Sequence, residues 1–216
     1  MSDRVQIAIP LFPRFTALDG IGPYEVLQRV PNFDVTFVAA AREDDDVGCR
    51  DLLEGRVGDE AEHPVLAAHL AAGGVGTRPL ERDDRVLAWL RAAHATTRYT
   101  TSVCTGSIVL GAAGLLVGLT ATTHWSCYRE LAEHGAEPTA QRVVEHLDHR
   151  IITAAGVSSG IDMALRLVEL LADRTAAQAA QLMIEYDPEP PFDCGSVAKA
   201  DDTVMTRVIE YAALRQ

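Results

Sequence analysis

A cysteine between a β-rich run and a run of small residues is the strongest chemical feature of the sequence. Residues 99–107 read Tyr-Thr-Thr-Ser-Val-Cys-Thr-Gly-Ser. This order is typical of a nucleophile elbow, in which a strained strand-to-helix turn lifts the nucleophile, here Cys104, above the sheet. The positive end of a helix dipole and nearby N–H groups are expected to lower the pKa of such a thiol. The spacing also fits a buried structural cysteine.

An acidic residue lies in the turn-rich segment Leu-Asp-Gly-Ile-Gly-Pro, where Asp19 follows the first apolar run. In α/β folds, ligands bind at the edge of the sheet formed by such strand-to-helix connections. A carboxylate there is suited to act as a general base. The same residue also fits a plain role as a helix cap or first-turn acid.

A glycine-rich loop, Gly73-Gly74-Val75-Gly76-Thr77, is the third candidate. Its backbone N–H groups are predicted to face a developing negative charge, as an oxyanion hole requires, with the N–H of Thr105 as a second donor. Glycines are also common in ordinary turns. His124 leaves two interpretations open, a Cys–His dyad with Cys104 and a structural histidine.

Composition narrows the class of protein. The chain has 216 residues, a formal charge of −12, 48% hydrophobic and 23% charged residues, which fits one ordinary globular domain. The acidic balance argues against nucleic-acid binding, because phosphates require a basic surface. No apolar run is long enough to cross a bilayer and no signal peptide is apparent, so we expect a cytoplasmic protein without membrane contact. The four cysteines form no CxxC pair, so neither a zinc site nor a disulfide framework is indicated.

The alternation of apolar runs and amphipathic segments predicts a doubly wound α/β fold. Strands are predicted at 5–12, 34–40, 98–103, 119–124 and 150–155. Helices are predicted at 23–30, 85–93, 106–116, 126–134, 159–171 and 201–214. The first helix is expected to begin at Pro23, which suits the first position of a helix.

One segment does not follow the alternation. Residues 42–72 are acidic and Ala-rich where another buried strand is needed. Their composition predicts an irregular or helical segment, less ordered than its flanks.

Five motifs in this order resemble the ThiJ/PfpI superfamily, which shares the class I glutamine amidotransferase fold. They are IPLFPRFTALDGIGPYEVL, GGVGTRPL, TTSVCTGSIVLGAAGLLVGLTATTHW, AAGVSSGIDMALRLVELL and EYDPEPPFDCGS. The resemblance covers residues 4–41 and 73 to about 197. It implies a flavodoxin-like, three-layer sandwich with a mostly parallel sheet, spanning residues 1–216 as a single domain, with an atypical segment at 42–72 and a C-terminal tail at 187–216. It also implies a homodimer.

Within the superfamily the motifs are most similar to those of the isonitrile hydratase branch. That likeness implies the addition of water to an isocyanide to give an N-substituted formamide, with no metal or organic cofactor. The resemblance implies that Cys104 is the nucleophile and that Asp19 moves the proton and activates water. It also implies that Thr105 helps to position the intermediate. The loop of Gly73, Gly74 and Gly76 is assigned to the substrate or oxyanion.

Other interpretations stay open. Residues 42–72 lack the strands and the Pro-Gly-Gly ending that are typical of the family. Two explanations fit this difference, a compensated frameshift and genuine divergence. Ligand-sensing domains of AraC-type regulators share the fold, but they continue into a helix-turn-helix domain. Glyoxalase, deglycase or peptidase activity is the other alternative, and those branches typically carry a Glu near the cysteine rather than the Asp19 context.

Overall fold

A mixed β-sheet forms the centre of the computed structural model, which describes residues 4–39 and 68–214. In chain order, the strands of this sheet and of a smaller two-stranded sheet are Val5–Leu11 (β1), Phe33–Ala39 (β2), Ala68–Ala71 (β3), Tyr99–Val103 (β4), Thr120–Ala121 (β5), Glu137–Pro138 (β6), Val143–His146 (β7) and Ile151–Ala154 (β8). The six-stranded sheet has the order β2-β1-β3-β4-β8-β7, and β5 pairs with β6 separately. Within the larger sheet only β7 runs antiparallel, against β8.

Helices cover both faces of this sheet. The helices that precede residue 186 are Ala17–Leu27 (α1), Thr77–Leu80 (α2), Asp84–Thr96 (α3), Gly106–Ala112 (α4), Tyr128–Glu133 (α5), Ser159–Leu171 (α6) and Arg174–Met183 (α7). One further helix, Asp202–Ala213 (α8), follows later in the chain. One buried cluster joins the sheet to α1, α6 and α7, and a second joins it to α3, α4 and α5. The three-layer α/β fold predicted from the sequence is therefore confirmed. None of the helices in the described ranges is long and apolar enough to cross a bilayer.

Contacts divide the chain into two compact units, Met1–Glu185 and Tyr186–Gln216. The first unit contains the sheet and α1 to α7. The second contains a 3-10 turn at Val197–Lys199 and α8, which begins after Asp201. The side chain of Asp201 caps this helix by accepting a hydrogen bond from the N–H of Val204 at 2.9 Å.

Two predicted boundaries are wrong in ways that affect the site. The first helix begins at Ala17 rather than Pro23, so Pro23 lies inside α1 and Asp19 lies in its first turn. Near the end of the acidic, Ala-rich segment, Ala68–Ala71 form β3, a fully buried strand between β1 and β4. Two of its four residues are alanines, and burial in the sheet outweighs their low strand propensity. Residues 42–67, the rest of that prediction, lie outside the described residues.

Smaller differences concern the ends of elements. The helix after Cys104 ends at Ala112 rather than Leu116, and Gly114, with φ of +80°, follows its end. The predicted strand at 119–124 is reduced to the two residues of β5. Neither α7 nor the antiparallel strand β7 was predicted from the sequence.

Candidate active site

The backbone of Cys104 has the strained geometry of an elbow. The residue follows β4 directly and adopts φ of 56°, in the left-handed region that non-glycine residues rarely occupy. Its N–H donates to the carbonyls of Ala154 and Ala155 at 3.1 and 2.8 Å. Its carbonyl oxygen accepts hydrogen bonds from Thr123 Oγ1 at 3.0 Å and from Ser107 Oγ at 3.1 Å. These contacts fix the turn that the sequence predicts, with the cysteine at its apex.

A close approach between α4 and β3 explains the glycine two residues later. A Cβ atom on Gly106 would lie 2.0 Å from the carbonyl oxygen of Ala71. Only glycine fits there, so α4 can begin immediately after the Cys104 turn.

The carboxylate of Asp19 is buried and points toward the glycine loop. Its Oδ2 accepts a hydrogen bond from the N–H of Gly73 at 3.0 Å. Thr16 is the N-cap of α1, so Asp19 does not occupy the capping position. Within the described ranges Oδ1 has no hydrogen-bond partner although it is buried. A buried carboxylate oxygen without a partner is costly, which is typical of a functional site rather than of a structural one.

Three groups meet at Gly73. A Cβ atom placed on this glycine would lie 2.6 Å from the N of Thr105, 2.7 Å from Asp19 Oδ2 and 2.7 Å from the Cβ of Cys104. The carboxyl ends of β3 and β4 and the first turn of α1 thus bring Asp19, Cys104 and Thr105 together. Three of the candidate residues therefore lie side by side in the structure.

The protonation states of the pair differ from the sequence-based expectation. Burial, and next the negative charge of Asp19, raise the pKa of the Cys104 thiol to about 12, although the N–H groups of Thr105 and Val157 act to lower it. The prediction of a lowered thiol pKa is therefore wrong. Burial also raises the pKa of Asp19 to about 6, against the opposing effects of the Gly73 N–H and the Cys104 thiol. Near pH 7 the site holds a thiol beside a carboxylate that can accept its proton.

The N–H groups of the three loop glycines form hydrogen bonds within the protein. The N–H of Gly73 bonds Asp19, the N–H of Gly74 donates to Thr105 Oγ1 at 2.8 Å, and the N–H of Gly76 donates to the carbonyl of Arg14 at 3.4 Å. Thr105 Oγ1 in turn donates to the carbonyl of Gly74 at 3.1 Å. Because these N–H groups are engaged, the loop holds Asp19 and Thr105 in place and does not offer an oxyanion hole in this structure.

The second N–H group that reaches the sulfur belongs to Val157, a residue that was not predicted from the sequence. Val157 adopts φ of 37°, a left-handed conformation that is unusual for a β-branched residue. Together with the N–H of Thr105, its N–H stabilises the thiolate form of Cys104. The cluster Gly156-Val157-Ser158-Ser159-Gly160 between β8 and α6 was the available signal, since strained turns concentrate at functional sites.

His124 lies near the Val157 turn but not on the thiol. Its Cδ2 is 2.8 Å from the position of a Cβ on Gly156, and its Nδ1 bonds Ser126 Oγ at 2.7 Å. Burial lowers the pKa of His124. Among the described residues no hydrogen bond joins His124 to Cys104, so the dyad interpretation has no geometric support.

No group of three or more metal-ligating side chains occurs in the parts of the chain that the structure describes. Cys127 and Cys194 are free thiols there, whereas Cys49 lies outside those ranges.

An α/β sandwich with a cysteine on a strand-to-helix elbow and a buried carboxylate beside it defines the class of fold and site to which this chain belongs. The chain belongs to the DJ-1/PfpI family, whose model matches residues 5–170.

Individual relatives add to this assignment. The chain is 42% identical over 212 residues to isonitrile hydratase of Pseudomonas putida, covering 98% of this chain and 90% of that protein. A solved ThiJ/PfpI family protein from Pseudomonas syringae superposes with a TM-score of 0.82 at 40% identity, over 99% of this chain and 87% of that one. The HTH-type transcriptional regulator GbdR of Pseudomonas aeruginosa is 28% identical over 124 residues, which are 57% of this chain and 34% of the regulator.

Proposed function

We propose that this protein is an isonitrile hydratase, which adds water to an isocyanide to give an N-substituted formamide. The observation that carries the proposal is the convergence of the Cys104 thiol and the Asp19 carboxylate at Gly73. The 42% identity to an isonitrile hydratase over nearly the whole chain supports the same reaction.

In the first step the thiol adds to the terminal carbon of the isocyanide. The S–H bond breaks, the new C–S and C–H bonds form at that one carbon, and a thioformimidate, R–N=CH–S–Cys104, results. Asp19 accepts the thiol proton and passes it to the carbon. The N–H groups of Thr105 and Val157 stabilise the sulfur while it carries negative charge.

In the second step water attacks the same carbon. Asp19 removes a proton from the water, the C–O bond forms, and the nitrogen takes up that proton as C=N becomes C–N. The tetrahedral adduct then loses the thiolate, the C–S bond breaks, and the hydroxyl proton returns to sulfur through Asp19. The products are R–NH–CHO and the free thiol, so the atoms of one isocyanide and one water are accounted for.

Asp19 has the properties that both steps need. Its pKa of about 6 leaves it mostly ionised at neutral pH, yet close enough to neutrality to accept and release protons. Gly73 holds Oδ2, and Oδ1 is the oxygen that we assign to the water. Thr105, locked by the glycine loop, contributes its N–H through a fixed backbone.

The alternatives have less support. The regulator similarity covers about a third of the regulator's length, so it supports a shared domain and not a shared function. A glyoxalase, deglycase or peptidase activity would use the same Cys104 but has no relative of comparable identity among those compared above.

The organisation of the chain is part of the proposal. We expect a single α/β domain over residues 1–216 whose tail begins near residue 187, assembled as a homodimer. A small neutral isocyanide as substrate, without nucleic acid or membrane as partner, agrees with the net charge of −12.

The proposal is tested by measuring formamide formation from an alkyl isocyanide with the wild type and with Asp19→Asn. Asn keeps the shape and an oxygen for Gly73 but cannot act as a base, so the rate should fall roughly a hundredfold or more. The melting temperature should change little. Asp162→Asn is the matched control, because Asp162 also lies in the first turn of a helix, α6, but its carboxylate contacts Arg142.

Two results would contradict the proposal. Equal rates for Asp19→Asn and the wild type would make Asp19 structural and the mechanism wrong. A wild type that leaves isocyanides unchanged yet consumes methylglyoxal would overturn the hydratase assignment, while the fold and Cys104 would stand.

A further inference from the structure

The carbonyl of Cys104 and the N–H of Thr105 belong to the same peptide group. The N–H side of this group faces the Cys104 sulfur and favours its thiolate. The carbonyl side accepts the hydroxyl of Thr123 at 3.0 Å. Any rotation of this peptide plane therefore moves the donor that stabilises the nucleophile.

Thr123 approaches the elbow from a separate part of the chain. It follows β5, whereas Ser107, the other side-chain donor to this carbonyl, belongs to α4 itself. Thr123 is fully buried, and the N–H of the preceding Thr122 donates to Thr153 Oγ1 on β8 at 3.0 Å. Thr123 is thus anchored to the sheet and can resist movement of the elbow.

We propose that Thr123 is a positioning residue for the nucleophile: its hydroxyl holds the Cys104–Thr105 peptide so that the Thr105 N–H stays directed at the sulfur. The hydrogen bond to the carbonyl also polarises the peptide, which makes its N–H a stronger donor. Because the left-handed conformation of Cys104 is strained, the peptide is expected to rotate when this hydrogen bond is lost.

The experiment compares Thr123→Val, which removes the hydroxyl at nearly constant shape, with Thr123→Ser, which keeps it. The matched control is Thr101→Val on β4. The Thr101 hydroxyl is also buried and donates to a backbone carbonyl at 3.1 Å, but that carbonyl belongs to His69. Both valine variants lose one buried hydrogen bond, so their melting temperatures should fall by similar amounts.

The main readout is the rate at which iodoacetamide alkylates Cys104 as a function of pH, followed by mass spectrometry of the peptide that contains it. Thr123→Val should slow this reaction about fivefold at neutral to mildly alkaline pH, and Thr123→Ser should restore most of the rate. Thr101→Val should react like the wild type. Alkylation at the wild-type rate in Thr123→Val, or equal slowing in Thr101→Val, would overturn the proposal.

A second readout rests on the proposed hydration reaction. Because Thr123 is buried under the elbow, its loss should lower kcat about tenfold and leave KM within about twofold of the wild type. A rise in KM with unchanged kcat would contradict the positioning role. If the wild type does not hydrate isocyanides, the proposed function fails, and the alkylation readout still decides the role of Thr123.

Discussion

The buried position of His69 in the middle of the sheet can be tested through the pH dependence of stability. The side chain lies on β3, is fully buried, and its Nε2 is 2.9 Å from the Thr100 hydroxyl. Thr100 also contacts His94 Nδ1 at 2.8 Å, and the His69 ring packs edge-on against Trp89. Within the described ranges its Nδ1 has no partner. Burial, with a smaller effect of His94, lowers the pKa of His69 from 6.5 to about 3.

The shift makes stability depend on pH in a defined direction. Below pH 6.5 His69 becomes protonated in the unfolded chain, whereas in the folded protein it stays neutral down to about pH 3. The free energy of unfolding therefore decreases as the pH falls from 6.5 to about 3. At about 1.4 kcal/mol per pKa unit, the loss between pH 7 and pH 5 is about 2 kcal/mol. Asp19 acts in the opposite direction, because its raised pKa of about 6 favours the folded state as the pH falls, by about 1 kcal/mol at pH 5.

Because these two effects oppose each other, the wild-type curve alone is not decisive. The assay is urea unfolding at pH 7 and pH 5 for the wild type and for His69→Gln, which removes the titrating group but keeps a polar side chain. The variant should lose about 2 kcal/mol less between the two pH values than the wild type. The control is His149→Gln, at a side chain that is 53% exposed. If the free energy of unfolding falls by the same amount between pH 7 and pH 5 in the wild type and in His69→Gln, His69 is not a buried, neutral histidine.

Two further predictions concern the site and the assembly. Gly73→Ala should lower the rate of formamide formation at least about a hundredfold, because the added Cβ would clash with Thr105, Asp19 and Cys104 at once. The control is Gly195→Ala, which should leave the rate unchanged because no atom lies within 4 Å of the added Cβ. A fully active Gly73→Ala protein would contradict the site geometry. Sedimentation at micromolar concentration should give a homodimer, as the family resemblance and the exposed Phe192 suggest, and a monomer would count against it.

The sequence was informative where local pattern and fold agree. The run from Tyr99 to Ser107 predicts a strand, a strained cysteine and a helix, and the structure has all three. The span of α6 is also as predicted, because apolar residues recur along it with helical spacing. Asp19 is brought to Cys104 because both lie at the carboxyl edge of parallel strands.

The failures have physical causes that a sequence does not display. Pro23 fits a helix start, but packing extends α1 back to Ala17. The direction of the Cys104 pKa depends on burial and on the Asp19 charge, which outweigh the N–H groups that the sequence suggests. Whether the N–H of a loop glycine is free depends on three-dimensional partners, and Gly74 donates to Thr105.

The central claim is that the Cys104 thiol carries the chemistry, and formamide formation by Cys104→Ala tests it most directly. Alanine fits the elbow, so the variant should fold with a far-UV spectrum and a melting temperature near those of the wild type. The account predicts that this folded variant forms no formamide from an alkyl isocyanide above the rate without enzyme, under conditions where the wild type turns over. Formamide formation at the wild-type rate by folded Cys104→Ala would contradict it.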